Sequence, residues 1–169
     1  MEHFAESEII NSFLRIKTIV NCGIFNTDQM QHPLRESAFI ELMICTRDLM
    51  AKTEKYSERI SFSDDVNLVA GVENVSDAIS KVRNAICHIN SPLREVGDTN
   101  NRVSFACCAG KMNFMKIGDI ELKSEYEDDI CFFYGHHKLY LKRHILKAID
   151  EAKQKLLPHL RENIRRVIE

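Results

Sequence analysis

The residues best suited to chemistry lie in one stretch, KVRNAICHINSP, residues 81–92. It sets a guanidinium, Arg83, ahead of an imidazole, His88, with Asn84 directly after the arginine. A guanidinium binds phosphate oxygens bidentately and stabilises charge that grows on phosphorus. An imidazole, titrating near pH ~6.5 in an ordinary setting, takes a proton from a hydroxyl or gives one to a leaving oxygen. The combination suits RNA cleavage, in which the ribose 2′-OH attacks the neighbouring phosphorus and the 5′-oxygen leaves. That route needs no metal and spares DNA, which has no 2′-OH. One arginine and one histidine make a weak site. Two copies of the segment, face to face in a dimer, would pool two of each.

The stretch belongs to a helical pattern. Val75, Ala78, Ile79, Val82, Ala85, Ile86 and Ile89 fall on one face. Asn74 suits the N-cap, and Asp77 favours the positive end of the helix. The opposite face carries Asp77, Lys81, Asn84 and His88. Five residues turn a helix by about 140°, so Arg83 and His88 flank the polar face rather than stack. Asn84 and His88 are one turn apart, which lets the amide orient the imidazole. A chain with 11 Arg and 7 His offers such a spacing readily, and a histidine near a helix C-terminus also suits the helix dipole. What singles this pair out is its placement, late in a third helix, opposite a clean apolar stripe and before an Asn-Ser-Pro stop.

The surrounding elements follow from hydrophobic period. Helical spacing runs over about 4–21 (Phe4, Ile9, Phe13, Ile16, Val20), 34–52 (Ala38, Leu42, Cys45 and Leu49, widened by Phe39 and Met50), 75–89 and 139–157 (Leu141, Ile145, Ala148, Ala152, Leu156). Pro158 stops the last of these, and HLRENIRRVIE forms a final short helix. Thr53 to Gly71 reads as a loop. Residues 101–137 are short apolar or aromatic runs broken by Gly and charge, which predicts two to four strands in one or two hairpins. Helices with one apolar stripe each bury those stripes together. The expectation is therefore a single domain over 1–169, mainly α: a four-to-five-helix up-down bundle with a small β-hairpin insertion before the last long helix.

Composition narrows the function classes. With 169 residues, 44% hydrophobic, 28% charged, 6 Gly and 3 Pro, the chain is neither a disordered tail nor a low-complexity segment. No run of about 18 apolar residues exists, so no membrane span is expected. The start, MEHFAESEII, lacks a basic apolar leader, and a cytoplasmic location is expected. Residues 138–169 hold nine Lys/Arg against four Asp/Glu, whereas 1–137 hold 14 against 21. That basic end suits a polyanion or a solvated helix face. Lys138, Lys142, Arg143 and Lys147 are spaced as a basic stripe that would position an RNA backbone. The cysteines, Cys22, Cys45, Cys87, Cys107, Cys108 and Cys131, form no CxxC pair and read as reduced, mostly buried thiols, with no metal site. Glu41 and Asp48 on the second helix are able to approach the Arg–His pair. Asp128 and Asp129 read as a solvated acidic turn, and His136-His137 as a hairpin tip.

Arg83-Asn84-Ala85-Ile86-Cys87-His88 resembles the signature of the HEPN superfamily, in which Arg, four to six residues and His stand on the penultimate major helix of a small bundle, often with a polar residue after the Arg. The SFSDDV and YEDDICFF segments are similar to those of small stand-alone members. The resemblance implies a homodimer whose paired motifs form a metal-independent endoribonuclease, with Arg83 and His88 catalytic, Asn84 auxiliary and no cofactor. It implies a role in prokaryotic toxin–antitoxin systems or phage defence, with an antitoxin or regulator protein as a further partner. Some members keep the fold without cleavage, so the alternative is a non-catalytic helical dimer that binds a protein or nucleotide.

Overall fold

Ile9, Phe13 and Ile16 of the first helix, α1 (His3–Asn21), share one core with Phe39, Leu42, Leu49 and Met50 of the second, α2 (Arg35–Tyr56). The computed structural model that reveals this describes residues 2–88, 90–97 and 101–168. Phe4, expected in the same stripe, is 83% exposed in the first turn. Arg35 is buried at the start of α2. Its Nη1 donates to the carbonyls of Ile24 (2.9 Å) and Asn26 (3.2 Å), which ties the connecting loop to the helix.

The third helix, α3 (Val75–Cys87), begins as the sequence predicts. Asn74 Oδ1 accepts the N–H groups of Ser76 (2.9 Å) and Asp77 (3.2 Å), satisfying two donors that a helix start leaves open. Val75, Ala78, Ile79, Val82 and Ala85 are buried against the core. The helix ends at Cys87, earlier than the predicted 89, and Ile89 lies outside the described residues.

The β region overturns the expected fold class. Among the described residues, five strands form: β1 (Ala106–Ala109), β2 (Met112–Ile117), β3 (Ile120–Ser124), β4 (Ile130–Tyr134) and β5 (His137–Tyr140). Strands β1, β4 and β5 make an antiparallel sheet in the order β1-β4-β5, and β2-β3 is a separate hairpin. All five residues of β4 are buried. Ile130, Phe132 and Tyr134 belong to the helical core, where Phe132 stacks on Phe39 at 4.2 Å. Cys131 and Phe133 belong to a second cluster with Val96, Val103, Cys108 and Leu122. Alternate residues of one strand thus serve two cores, as the period of two requires. With 52% of the chain helical and 16% in strands, the molecule is mixed α+β and not a mainly α bundle with a small β insertion. The physical reason is the run ICFFY. A strand apolar on both faces must be covered on both faces, so it becomes a wall of the core rather than an appendage.

The helix predicted over 139–157 is corrected at its start. Residues 137–140 are β5, with His137 opposite Tyr134 and Tyr140 opposite Cys131. The chain then enters a π-helical segment, Leu141–Leu146, which continues into α4 (Lys147–Leu156) and, past Pro158, α5 (Glu162–Ile168). Leu141, Ile145, Ala148, Ala152 and Leu156 are buried, as their spacing predicts. Among the described residues, no helix is long and apolar enough to cross a membrane.

Asp129 holds the start of that segment. Its side chain is fully buried. Oδ1 accepts the N–H groups of Ile130 (2.8 Å) and Lys142 (2.9 Å); Oδ2 accepts those of Arg143, from backbone (3.1 Å) and guanidinium (3.2 Å). Of the expected solvated acidic turn, Asp128 is exposed, whereas Asp129 is a buried cap. Asp129→Ala strands these donors and is expected to lower unfolding free energy by roughly 3 kcal/mol, read from urea titrations. A loss below about 0.5 kcal/mol, the scale of an ordinary surface change, would contradict the cap.

Candidate functional site

The polar faces of α1, α2 and α3 wall a groove of about 640 Å³. Ser12 and Arg15 line it from α1, Arg47 and Asp48 from α2, Arg83 and Asn84 from α3. Arg83 is half-buried, and its one bond among the described residues is a long one, Nη1 to Asn84 Oδ1 at 3.4 Å. Neither carboxylate flagged by the sequence neutralises it. Asp48 accepts Ser12 Oγ (3.1 Å), while Glu41 pairs with Arg15 and accepts Cys45 Sγ (3.3 Å). Burial, and then the bond to Glu41, push the Cys45 thiol up to about 12. Cys45 is therefore protonated near neutrality and is no nucleophile in this groove.

His88 stands at the end of α3 with an exposed side chain and extended backbone, φ −123° and ψ 101°. It is outside the groove lining. Its backbone is fixed from both sides: its N–H donates to the Asn84 carbonyl (3.2 Å), and its carbonyl accepts the N–H of Ser91 (2.9 Å). Arg94 reaches back to cap the helix, Nε to the Ala85 carbonyl at 2.7 Å and Nη2 to the Ile86 carbonyl at 3.1 Å. A cation on the last carbonyls satisfies acceptors that the helix leaves open. Gly135, in the β4–β5 turn, packs on the same segment. Its φ is +56°, and a Cβ there would stand 2.2 Å from the Leu93 carbonyl oxygen, so only glycine fits.

The structure therefore places Arg83 and Asn84 together, with the amide bonded to the guanidinium rather than to the imidazole. Because the chain leaves the helix at His88, the predicted Asn84–His88 side-chain contact is not made. One protomer presents a groove with a guanidinium and, beyond the helix end, a solvent-facing imidazole. Compared with family models, curated proteins and solved structures, the chain matches none of them.

The predicted basic stripe is dispersed. Lys138 lies in β5 and pairs with Glu125 (2.6 Å). Lys142 Nζ donates to the Asp128 carbonyl; Arg143 pairs with Asp128 (2.9 Å) and Asp129 (3.2 Å); Lys147 pairs with Asp64 (3.0 Å). Each cation is answered within the chain by a group distant in sequence. His136 occupies the β4–β5 turn, whereas His137 is buried in β5. All six cysteines are free; Cys45, Cys108 and Cys131 are buried, and Cys22 and Cys87 are exposed. Among the described residues, no cluster of His, Cys, Asp or Glu suits a metal ion. Sequence reasoning missed Arg47 and Arg15, which belong to no motif; only their helical phase relative to the buried stripes could have pointed to them.

Proposed function

We propose that the chain is a metal-independent endoribonuclease of the HEPN type, working as a homodimer on a mixed α+β frame. The observation that carries this reading is the guanidinium of the half-buried residue Arg83. It faces a groove with only a neutral amide as partner, on the same short helix whose end presents His88 to solvent. A guanidinium on a groove wall with no counter-ion among the described residues is free to take an anion bidentately, and a phosphodiester is such an anion. Arg83 holds the scissile phosphate and stabilises its developing charge; Asn84 steadies the guanidinium; His88 moves the proton. The 2′-oxygen bonds to phosphorus as the 5′-oxygen leaves, giving a 2′,3′-cyclic phosphate and a 5′-hydroxyl. Because His88 is outside the groove that Arg83 lines on one protomer, the reading assigns the complete site to two, with the partner's imidazole completing each groove. A cytoplasmic toxin or phage-defence role, held silent by an antitoxin or regulator, belongs to the same proposal.

The test uses purified protein in EDTA with an RNA and a DNA of the same sequence. RNA cut and DNA spared is the expected result, with a rate that falls on dilution as the dimer separates. Retention of RNA without any cut would replace the nuclease by a binding module.

A further inference from the structure

The 11 arginines of the chain divide by what answers them. Six bond carboxylates: Arg15, Arg59, Arg102, Arg143, Arg161 and Arg166. Three bond backbone carbonyls: Arg35, Arg94 and Arg165. Among the described residues, Arg47 and Arg83 are the two left with neither, and both line the α1–α2–α3 groove. Both are half-buried. Nine guanidiniums are thus spent on the fold, and the two that are not converge on one surface from different helices. Of the other charges there, Glu8 is paired with Lys52 and Arg15 with Glu41, while Asp48 holds Ser12 Oγ and feels the Lys52 ammonium without forming an ion pair among the described residues.

We propose that Arg47 is a substrate-binding residue that holds a second phosphate of the RNA, flanking the one on Arg83. This rests on the ribonuclease reading for its choice of polyanion. Two arginines aimed into one cleft recognise two successive backbone phosphates, since each planar fork grips one phosphate bidentately. The concave shape favours a single strand, because duplex RNA is gripped across its broad, shallow minor groove. Asp48 opposes the ligand: its carboxylate faces the same groove and repels phosphate, which sets how tightly the strand is held.

The experiment measures binding of a non-cleavable 2′-O-methyl RNA oligonucleotide to the full chain by fluorescence anisotropy over a range of salt. Arg47→Ala is expected to weaken binding about tenfold and to reduce the slope of log K against log salt by about one. Arg47→Lys keeps the charge and recovers part of the slope. Asp48→Asn keeps an acceptor for Ser12 and is expected to tighten binding severalfold, an independent arm if Arg47→Ala folds poorly. A nucleoside monophosphate should compete far more weakly than the oligonucleotide. Unchanged affinity and slope in Arg47→Ala, or a monophosphate that competes equally well, would overturn the second phosphate site. If wild type cuts no RNA while the Arg47 and Asp48 effects appear, the nuclease reading fails and the phosphate groove stands. If wild type cuts RNA while Arg47→Ala binds like wild type, the reverse holds.

Discussion

Replacing His88 with alanine is expected to slow RNA cleavage about 10²- to 10⁴-fold, the usual contribution of a positioned acid–base group. Replacing Arg83 with alanine is expected to cost about 10²- to 10³-fold through lost stabilisation of the charge on phosphorus. Neither change should cost much stability. His88 is exposed, and Arg83 makes a single long bond, to its neighbour Asn84. Arg83→Lys should recover only part of the rate, because an ammonium lacks the planar fork. The double variant should lose about as much as the worse single one, since residues that act on one transition state are not additive. Single-turnover rates in EDTA, beside thermal melts of each variant, read these effects. Rates within about twofold of wild type in both single variants would remove Arg83 and His88 from the chemistry.

Acid is expected to destabilise the protein before the ion-paired carboxylates of Glu58 and Asp128 protonate. His137 and His144 are sealed in the interior. Burial is the main cause holding both imidazoles down at about 4. The charges of His136 and Lys81 push His137 the same way; Asp65 and Asp129 pull His144 up, and Lys138 pushes it down. Nδ1 of His144 accepts the N–H of Tyr140 at 3.1 Å, so the fold uses the neutral ring. Nε2 of each ring has no partner among the described residues. Each imidazole binds a proton more readily in the unfolded chain, near pH ~6.5, than in the folded one. Its stabilisation is whole above about 6.5, is lost as pH falls toward 4, and is flat below. At about 1.4 kcal/mol per pH unit, each ring accounts for roughly 3 kcal/mol. The carboxyls of Glu58 and Asp128 are held low by bonds from Lys155 and Arg143, so their loss comes at lower pH. Urea titrations at pH 7, 5.5 and 4.5 measure the slope. His144→Asn, which keeps an acceptor at the Nδ1 position, should flatten it by about half. An unchanged slope in that variant would contradict the buried neutral ring.

What was legible in the sequence was local. Asn74 caps α3 because the cap is a contact between neighbours in the chain, and the stripe from Leu141 to Leu156 is buried because a single helix writes its own period. The end of α3 is not written in its local pattern because it is set from outside. Arg94, beyond the helix, holds its last carbonyls, and the β4–β5 turn packs on the segment that follows. Residues 139 and 140 read as the start of a helix because Leu139, Leu141 and Ile145 suit either period, and only pairing with β4 decides for a strand. The run ICFFY predicts a strand, but nothing local says that both of its faces are covered. The basic stripe failed for the same reason: Glu125, Asp128 and Asp64 answer it from other elements. Arg83 and His88 stood out through their motif, whereas Arg47 is distinguished only by having no partner, a property that no linear pattern carries.

The chemistry of the cut ends decides between this site and any other. Wild-type protein in EDTA should leave RNA fragments with 2′,3′-cyclic phosphate and 5′-hydroxyl termini, resolved by mass spectrometry, and His88→Ala should leave the RNA intact. Termini bearing 5′-phosphate that appear only with added magnesium, or the same fragments from His88→Ala, would contradict it.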